Sequence, residues 1–144
     1  MNTDSLNNIY ITGYSYIGTS SEYTDSIVVI KYDPNGGLLW RKKIEHIWPG
    51  ALSMRSALDA NGNLFIGTVG INPGFVLIKL DSNGNVLFNV ANASSLNQNF
   101  NSMRLKNNLV VFTSYAANGS QASVVAYDTT GVFLWSHIFP SRGG

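Results

Sequence analysis

"SIVVIKYDPNGGLLW" (26–40) returns as "GFVLIKLDSNGNVLF" (74–88) and, more loosely, as "ASVVAYDTTGVFLW" (122–135). Three positions persist through the copies: Asp33, Asp81 and Asp128; Gly36, Gly84 and Gly131; Trp40, Phe88 and Trp135. Each set is spaced by 48 and then 47 residues. Self-similarity at one fixed period is the mark of a repeat architecture, and it decides the fold. A run of consecutive apolar residues, Ile27 to Ile30 or Phe75 to Ile78, leads into the Asp. Such a run, bounded by turn residues, describes a strand covered on both faces. The Asp-to-Gly segment then describes a hairpin turn, and a second apolar run comes after it.

On the N-terminal side, "NNIYITGYS" (7–15), "GNLFIGTVG" (62–70) and "NNLVVFTSY" (107–115) line up ahead of the three copies. "SMRSALDANG" (53–62) and "SMRLKNN" (102–108) run into the second and third of these. One unit is therefore about 47 residues long and holds four short strands, placed in the second unit at about 52–58, 63–69, 75–81 and 85–91. All are rich in Ile, Val, Leu, Phe and Tyr, and no helix-period stretch of useful length interrupts them. Four strands per unit at this period predict an all-β chain, a β-propeller of about three four-stranded blades. Residues 1–144 form one repeat domain, with blades at about 4–46, 50–95 and 100–140. The first blade is expected to lack its innermost strand. Propellers close with about 4 to 8 blades, so three describe a partial propeller or one that closes by oligomerisation.

Asp-x-Asn-Gly also opens a calcium loop, and the residues beyond the first Gly separate the two readings. An EF-hand needs Gly at loop position 6, Glu at 12 and further oxygen ligands. After Asp33 the chain reads Pro-Asn-Gly-Gly-Leu-Leu-Trp, which fails at once. A turn needs only an Asp that caps it and a Gly free to take positive φ. "DANGN" (59–63) and "DSLNN" (4–8) are expected to turn the chain in the same way.

The pattern "NNIYITGYS…DSIVVIKYDPNGGLLW" resembles the SBBP family of bacterial β-propeller repeats, which run roughly GNIYVTGYT…DIVVIKYDxNGNLLW. The resemblance covers nearly the whole chain and is most specific in the first copy. The second reverses the usual Thr-Gly at Gly67-Thr68, and the third has Ala126 in place of Lys and a short turn at Lys106-Asn107-Asn108. It implies a propeller from a secreted or cell-surface protein, and it implies no catalytic residues. The quinoprotein type of propeller has a similar Asp, Gly and Trp motif, but its Asp-to-Gly spacing is one residue longer.

Hydrophobic residues are 44% of the chain and charged residues 12%, about half the usual share, with Gly, Asn and Ser in their place. A net charge of +1 gives no field for a non-specific grip on nucleic acid or acidic membranes. The one basic run, Arg41-Lys42-Lys43, suits a solvated outer strand. With no Cys there is no disulfide, thiolate metal site or Cys nucleophile. No apolar stretch approaches the ~18 residues of a membrane helix. The opening "MNTDSLNNIY" lacks the basic and apolar regions of a signal peptide.

Five of the eight acids are assigned to turns, which leaves Glu22, Asp25 and Glu45. Glu22 and Asp25 fall in "IGTSSEYTD" (17–25), expected to be a long loop, where binding sites concentrate. Tyr16 and Tyr23 beside them, with Tyr14, suit contact with carbohydrate or protein. Arg55 and Arg104 both stand in Ser-Met-Arg on or near the innermost strand, where repeated arginines could hold an anion. His46 and His137 occupy different repeat positions, so no repeated metal site uses them. Neither a G-x-S-x-G elbow nor a phosphate-binding Gly loop is present. Trp40, Phe88 and Trp135 are expected to pack between blades. The chain thus reads as a binding or scaffold module for a protein or glycan, without metal or cofactor. Two alternatives stay open: part of an enzyme completed by further chain or another subunit, and a purely structural spacer.

Overall fold

The computed structural model describes residues 1–19, 22–47, 54–70, 74–93, 98–116 and 121–140. Of these, 16–19, 22–25, 46–47, 69–70, 74, 92–93, 98–100, 116 and 140 are described by backbone alone. Twelve strands make three antiparallel four-stranded sheets, each paired in chain order. The first holds β1 (Asn2–Thr3), β2 (Ile9–Thr19), β3 (Glu22–Tyr32) and β4 (Leu38–Ile47). The second holds β5 (Met54–Leu58), β6 (Leu64–Gly70), β7 (Gly74–Leu80) and β8 (Val86–Ala93). The third holds β9 (Gln98–Lys106), β10 (Leu109–Ala116), β11 (Gln121–Asp128) and β12 (Phe133–Pro140). The strands of the second unit fall within a residue or two of their expected places. The first sheet was expected to lack its innermost strand, but Asn2–Thr3 fills that edge by pairing with Tyr10 and Ile9. Two residues suffice because the turn at Asp4 delivers them directly beside β2.

Five turns share one construction. The Oδ1 atom of Asp33 accepts backbone N–H bonds from Asn35 and Gly37, both at 2.8 Å. Asp4, Asp59, Asp81 and Asp128 do the same with the residues two and four places on. In three of them Oδ2 also accepts the side-chain amide of the Asn four places on: Asn8, Asn63 and Asn85. The residue three places on takes a positive φ, 62° at Asn7 and 78–92° at the glycines. These are carboxylates spent on backbone donors, so the Asp-x-Asn-Gly motif is a turn.

The sheets stack face to face, and side-chain parity sorts each strand between two neighbours. Leu64, Ile66, Val76, Ile78 and Leu80 of the second sheet pack with Tyr10, Ile27, Val29 and Ile44 of the first. The alternate residues Phe65, Phe75 and Leu77 pack with Met103, Val110, Phe112, Val125 and Tyr127 of the third. The second sheet is therefore buried on both faces, which is what its consecutive apolar runs require. We call the face that each sheet turns toward the next its leading face, and the opposite one its trailing face. β5 adjoins both β1 and β9, so the sheets meet along their innermost strands.

The third copy sits one residue away from the alignment expected for it. Ile9 and Leu64 face the residues before the turn Asp, Tyr32 and Leu80. In the third sheet Tyr127, the residue before Asp128, faces Val110 rather than Leu109. The tight turn at Asn107, with φ 54°, replaces the five-residue Asp turn and shortens the hairpin. Matching Asn107-Asn108 to Asn7-Asn8 by letter therefore sets the strand one residue off.

Candidate functional site

The same joint holds the sheets together twice. Trp40 closes the first copy, and its ring lies on the Asp81 turn of the second sheet. A Cβ at Gly84 would come within 3.1 Å of the indole Cε3. The indole Nε1 and Lys31 Nζ donate to the Ser82 carbonyl at 3.0 and 3.2 Å. Lys31 also lies 4.7 Å from the Tyr10 ring and 3.4 Å from the Asp4 carboxylate. In the next joint Phe88 covers Gly131, where a Cβ would stand 3.1 Å from the ring. Lys79 Nζ donates to the Thr129 carbonyl at 3.0 Å and lies 4.8 Å from the Phe65 ring. Trp40 and Phe88 are thus packing residues between sheets. Trp135, their counterpart, is 41% exposed, with its ring 5.4 Å from that of His137.

The segment expected as a long loop is mostly strand. β2 and β3 stay paired from Ile9↔Tyr32 out to Thr19↔Glu22. Among the described residues the hairpins of the other sheets pair as far as Gly70↔Gly74 and Tyr115↔Ala122. The alternation Tyr14, Tyr16, Gly18 against Tyr23, Asp25, Ile27 carries the ladder on. Tyr16 faces Asp25, Gly18 faces Tyr23 and Thr19 faces Glu22 in this register. The side chains of Tyr16, Glu22, Tyr23 and Asp25 lie outside the described residues. Tyr14 belongs to the sheet joint instead, its hydroxyl 3.1 Å from that of Thr68.

Arg55 and Arg104 both emerge on leading faces of innermost strands, but at different repeat positions. Arg55 pairs with Gly67 and Arg104 with Val111. The residue of the second sheet that corresponds to Arg104 is Ala57, because Phe65 and Val111 are equivalents. The two Ser-Met-Arg runs match by letter but stand two strand positions apart in register. Arg55 spans the joint between sheets, with Nε donating to the Asn101 carbonyl and Nη1 to that of Met54, both at 2.9 Å. Arg104 is exposed.

Three of the turn acids, Asp4, Asp81 and Asp128, are held in their charged form by the turns themselves. For Asp81 the Asn85 side chain and backbone amides hold the carboxyl below its ordinary value of 3.8. The Thr130 hydroxyl and the Val132 N–H do the same for Asp128. At Asp4 burial pushes the carboxyl up, but bonds from Asn8 and Leu6 and the Lys31 charge outweigh it, leaving it lowered. Among the described residues no three His, Asp or Glu side chains gather as a metal site would require. Sequence reasoning missed Lys31 and Lys79 as joint residues, although their place two before each turn Asp was a repeated signal. No protein-family model matches the chain, and no curated protein matches it.

Proposed function

We propose that this chain is a non-catalytic binding or scaffold module, a β-propeller segment akin to the SBBP-type repeats of exported or surface bacterial proteins. Its ligand is a protein or a glycan, met at the outer end of the β2–β3 hairpin. The observation that carries this reading is the length of that hairpin. Three sheets share one plan, and among the described residues only the first is extended, past the Ser15↔Ser26 pair to Thr19↔Glu22. Packing between sheets does not ask for the extra length, since the second and third sheets stack without it. The extension is rich in Tyr, which supplies contact area at low entropic cost, and carries Glu22 and Asp25, whose carboxylates accept hydrogen bonds from sugar hydroxyls or backbone amides. The five turn carboxylates are already engaged by amides, which leaves the stack as a rigid support.

The test is a glycan array together with capture of soluble surface proteins on the immobilised chain. Binding should fall at least about tenfold, or by about 1.4 kcal/mol, in a Tyr16→Ala/Tyr23→Ala double variant whose thermal unfolding is unchanged. A folded chain that binds nothing in either format would favour the spacer, and binding indifferent to the double variant would move the site off the hairpin.

A further inference from the structure

The stack ends on two uncovered apolar faces, and they are the two halves of the joint already made twice inside the chain. On the trailing face of the first sheet, Ile11 is 42% exposed, whereas its equivalents Ile66 and Phe112 are fully buried. Ile11, Gly13, Val28, Ile30 and Arg41 line an open depression of about 320 Å³ there. In the other two sheets the corresponding ground is filled by side chains of the preceding sheet. At the opposite end, the leading face of the third sheet leaves Tyr115, Trp135 and Phe139 between 41% and 54% exposed. Terminal repeats that face water permanently carry a polar outer surface. Here the polar groups, Arg41 and Lys43 on one face and Arg104 and His137 on the other, stand on the edge strands and leave the apolar centres bare. Apolar patches of this kind mark interaction sites.

We infer that two copies of this chain pair head to tail, each seating the leading face of its third sheet on the trailing face of its partner's first sheet. The detail of the joint supports this occupant. Inside the chain an aromatic from one sheet lies on the turn glycine of the next. Gly36 is that glycine in the first sheet, at φ 87°, and a Cβ there would meet nothing within 4 Å. Trp135 is the aromatic left over in the third sheet. The acceptor in each joint is the carbonyl one residue after the turn Asp: Ser82, then Thr129, and in the open turn Pro34. Proline keeps its carbonyl, so Pro34 can accept the indole N–H of Trp135 as Ser82 accepts that of Trp40.

The donors also match. The first joint uses Lys31 and Trp40, and the second uses Lys79 with a Phe that has no N–H to give. In the third sheet Lys is replaced by Ala126 and its ring partner by Val111, so Trp135 is the donor. No lysine would be buried against the Pro34 turn, and the third sheet's own β9–β10 turn, 106–109, has no acid in the place from which Asp4 meets Lys31 in the first. One copy offers both halves, and two copies close both ends with six sheets, within the range of about 4 to 8 that rings adopt. The pairing rests on the scaffold reading above for the stacking plan. A chain that stays monomeric yet binds ligand would overturn the pairing and leave that reading standing.

Light scattering on a sizing column tests it. The chain should elute as a discrete species of about 31 kDa, twice the 15.7 kDa of one copy. Trp135→Glu and Ile11→Glu change opposite, exposed faces, and each alone should give a monomer with unchanged far-UV circular dichroism. Should Ile11→Glu fail to fold, Arg41→Glu on the same face is the replacement, with the same expected result. A monomeric parent chain overturns the inference. So does a dimer that survives the trailing-face variant, since that would be leading face on leading face. A trimer or an open polymer overturns closure by two copies.

Discussion

Gly84 and Gly36 have nearly the same backbone, φ 84° and 87°, but different surroundings. A side chain at either position carries the cost of the left-handed region, about 1–2 kcal/mol. At Gly84 the added Cβ also meets the Trp40 ring at 3.1 Å, a ring pinned by its bond to Ser82 and unable to retreat freely. We therefore expect Gly84→Ala to lower stability by about 1 kcal/mol more than Gly36→Ala, as an overpacked contact does. Urea titrations at low protein concentration, where the Gly36 turn stands uncovered, would show the difference. Equal losses would mean that the ring does not set the joint.

At the scale of the element, the turns couple the fold to pH. Asp4, Asp81 and Asp128 have lowered pKa values when folded. An unfolded chain returns them to about 3.8 and so binds protons first as pH falls. Their stabilisation is complete above that value and is lost as pH drops through the folded values. Stability should thus hold steady down to about pH 4 and decline below it. Asp81→Asn keeps an oxygen for the turn amides but removes one titration. Its urea midpoint should fall less steeply with acid than that of the parent, and an unchanged slope would exclude Asp81 from the effect. The turns were legible because Asp and Gly recur at a fixed offset and each has one physical task. The extension of β2 and β3 was not, because Ser, Thr and Gly between aromatic residues suit a loop as well as a strand. Pairing with a partner strand decides between them, and the sequence does not display the partner. The third β9–β10 turn misled for a related reason. Asn107-Asn108 repeats the letters of Asn7-Asn8, but only the hydrogen-bond register shows that one residue has been taken out.

Across the whole molecule, protection should track how many faces of a sheet are covered. The second sheet is covered on both, with Leu64, Phe65, Ile66, Leu77 and Ile78 fully buried. Its β6 and β7 amides should exchange only through opening of the whole stack, and those of the edge strands β4 and β12 much faster. Hydrogen exchange read by mass spectrometry would show that order, and early exchange in β6 would argue that the sheets open singly. The sequence by itself determined the all-β class, the four-strand unit, the turns and the two-sided burial of the central strands. Each comes from local spacing, which the periods of strand and repeat translate directly into geometry. Tertiary structure alone decided which arginines are equivalent, which tyrosine serves a joint, and which two faces of the stack remain uncovered. Those are properties of register and neighbours, fixed by contacts between residues about fifty positions apart, such as Lys31 with Ser82 and Lys79 with Thr129.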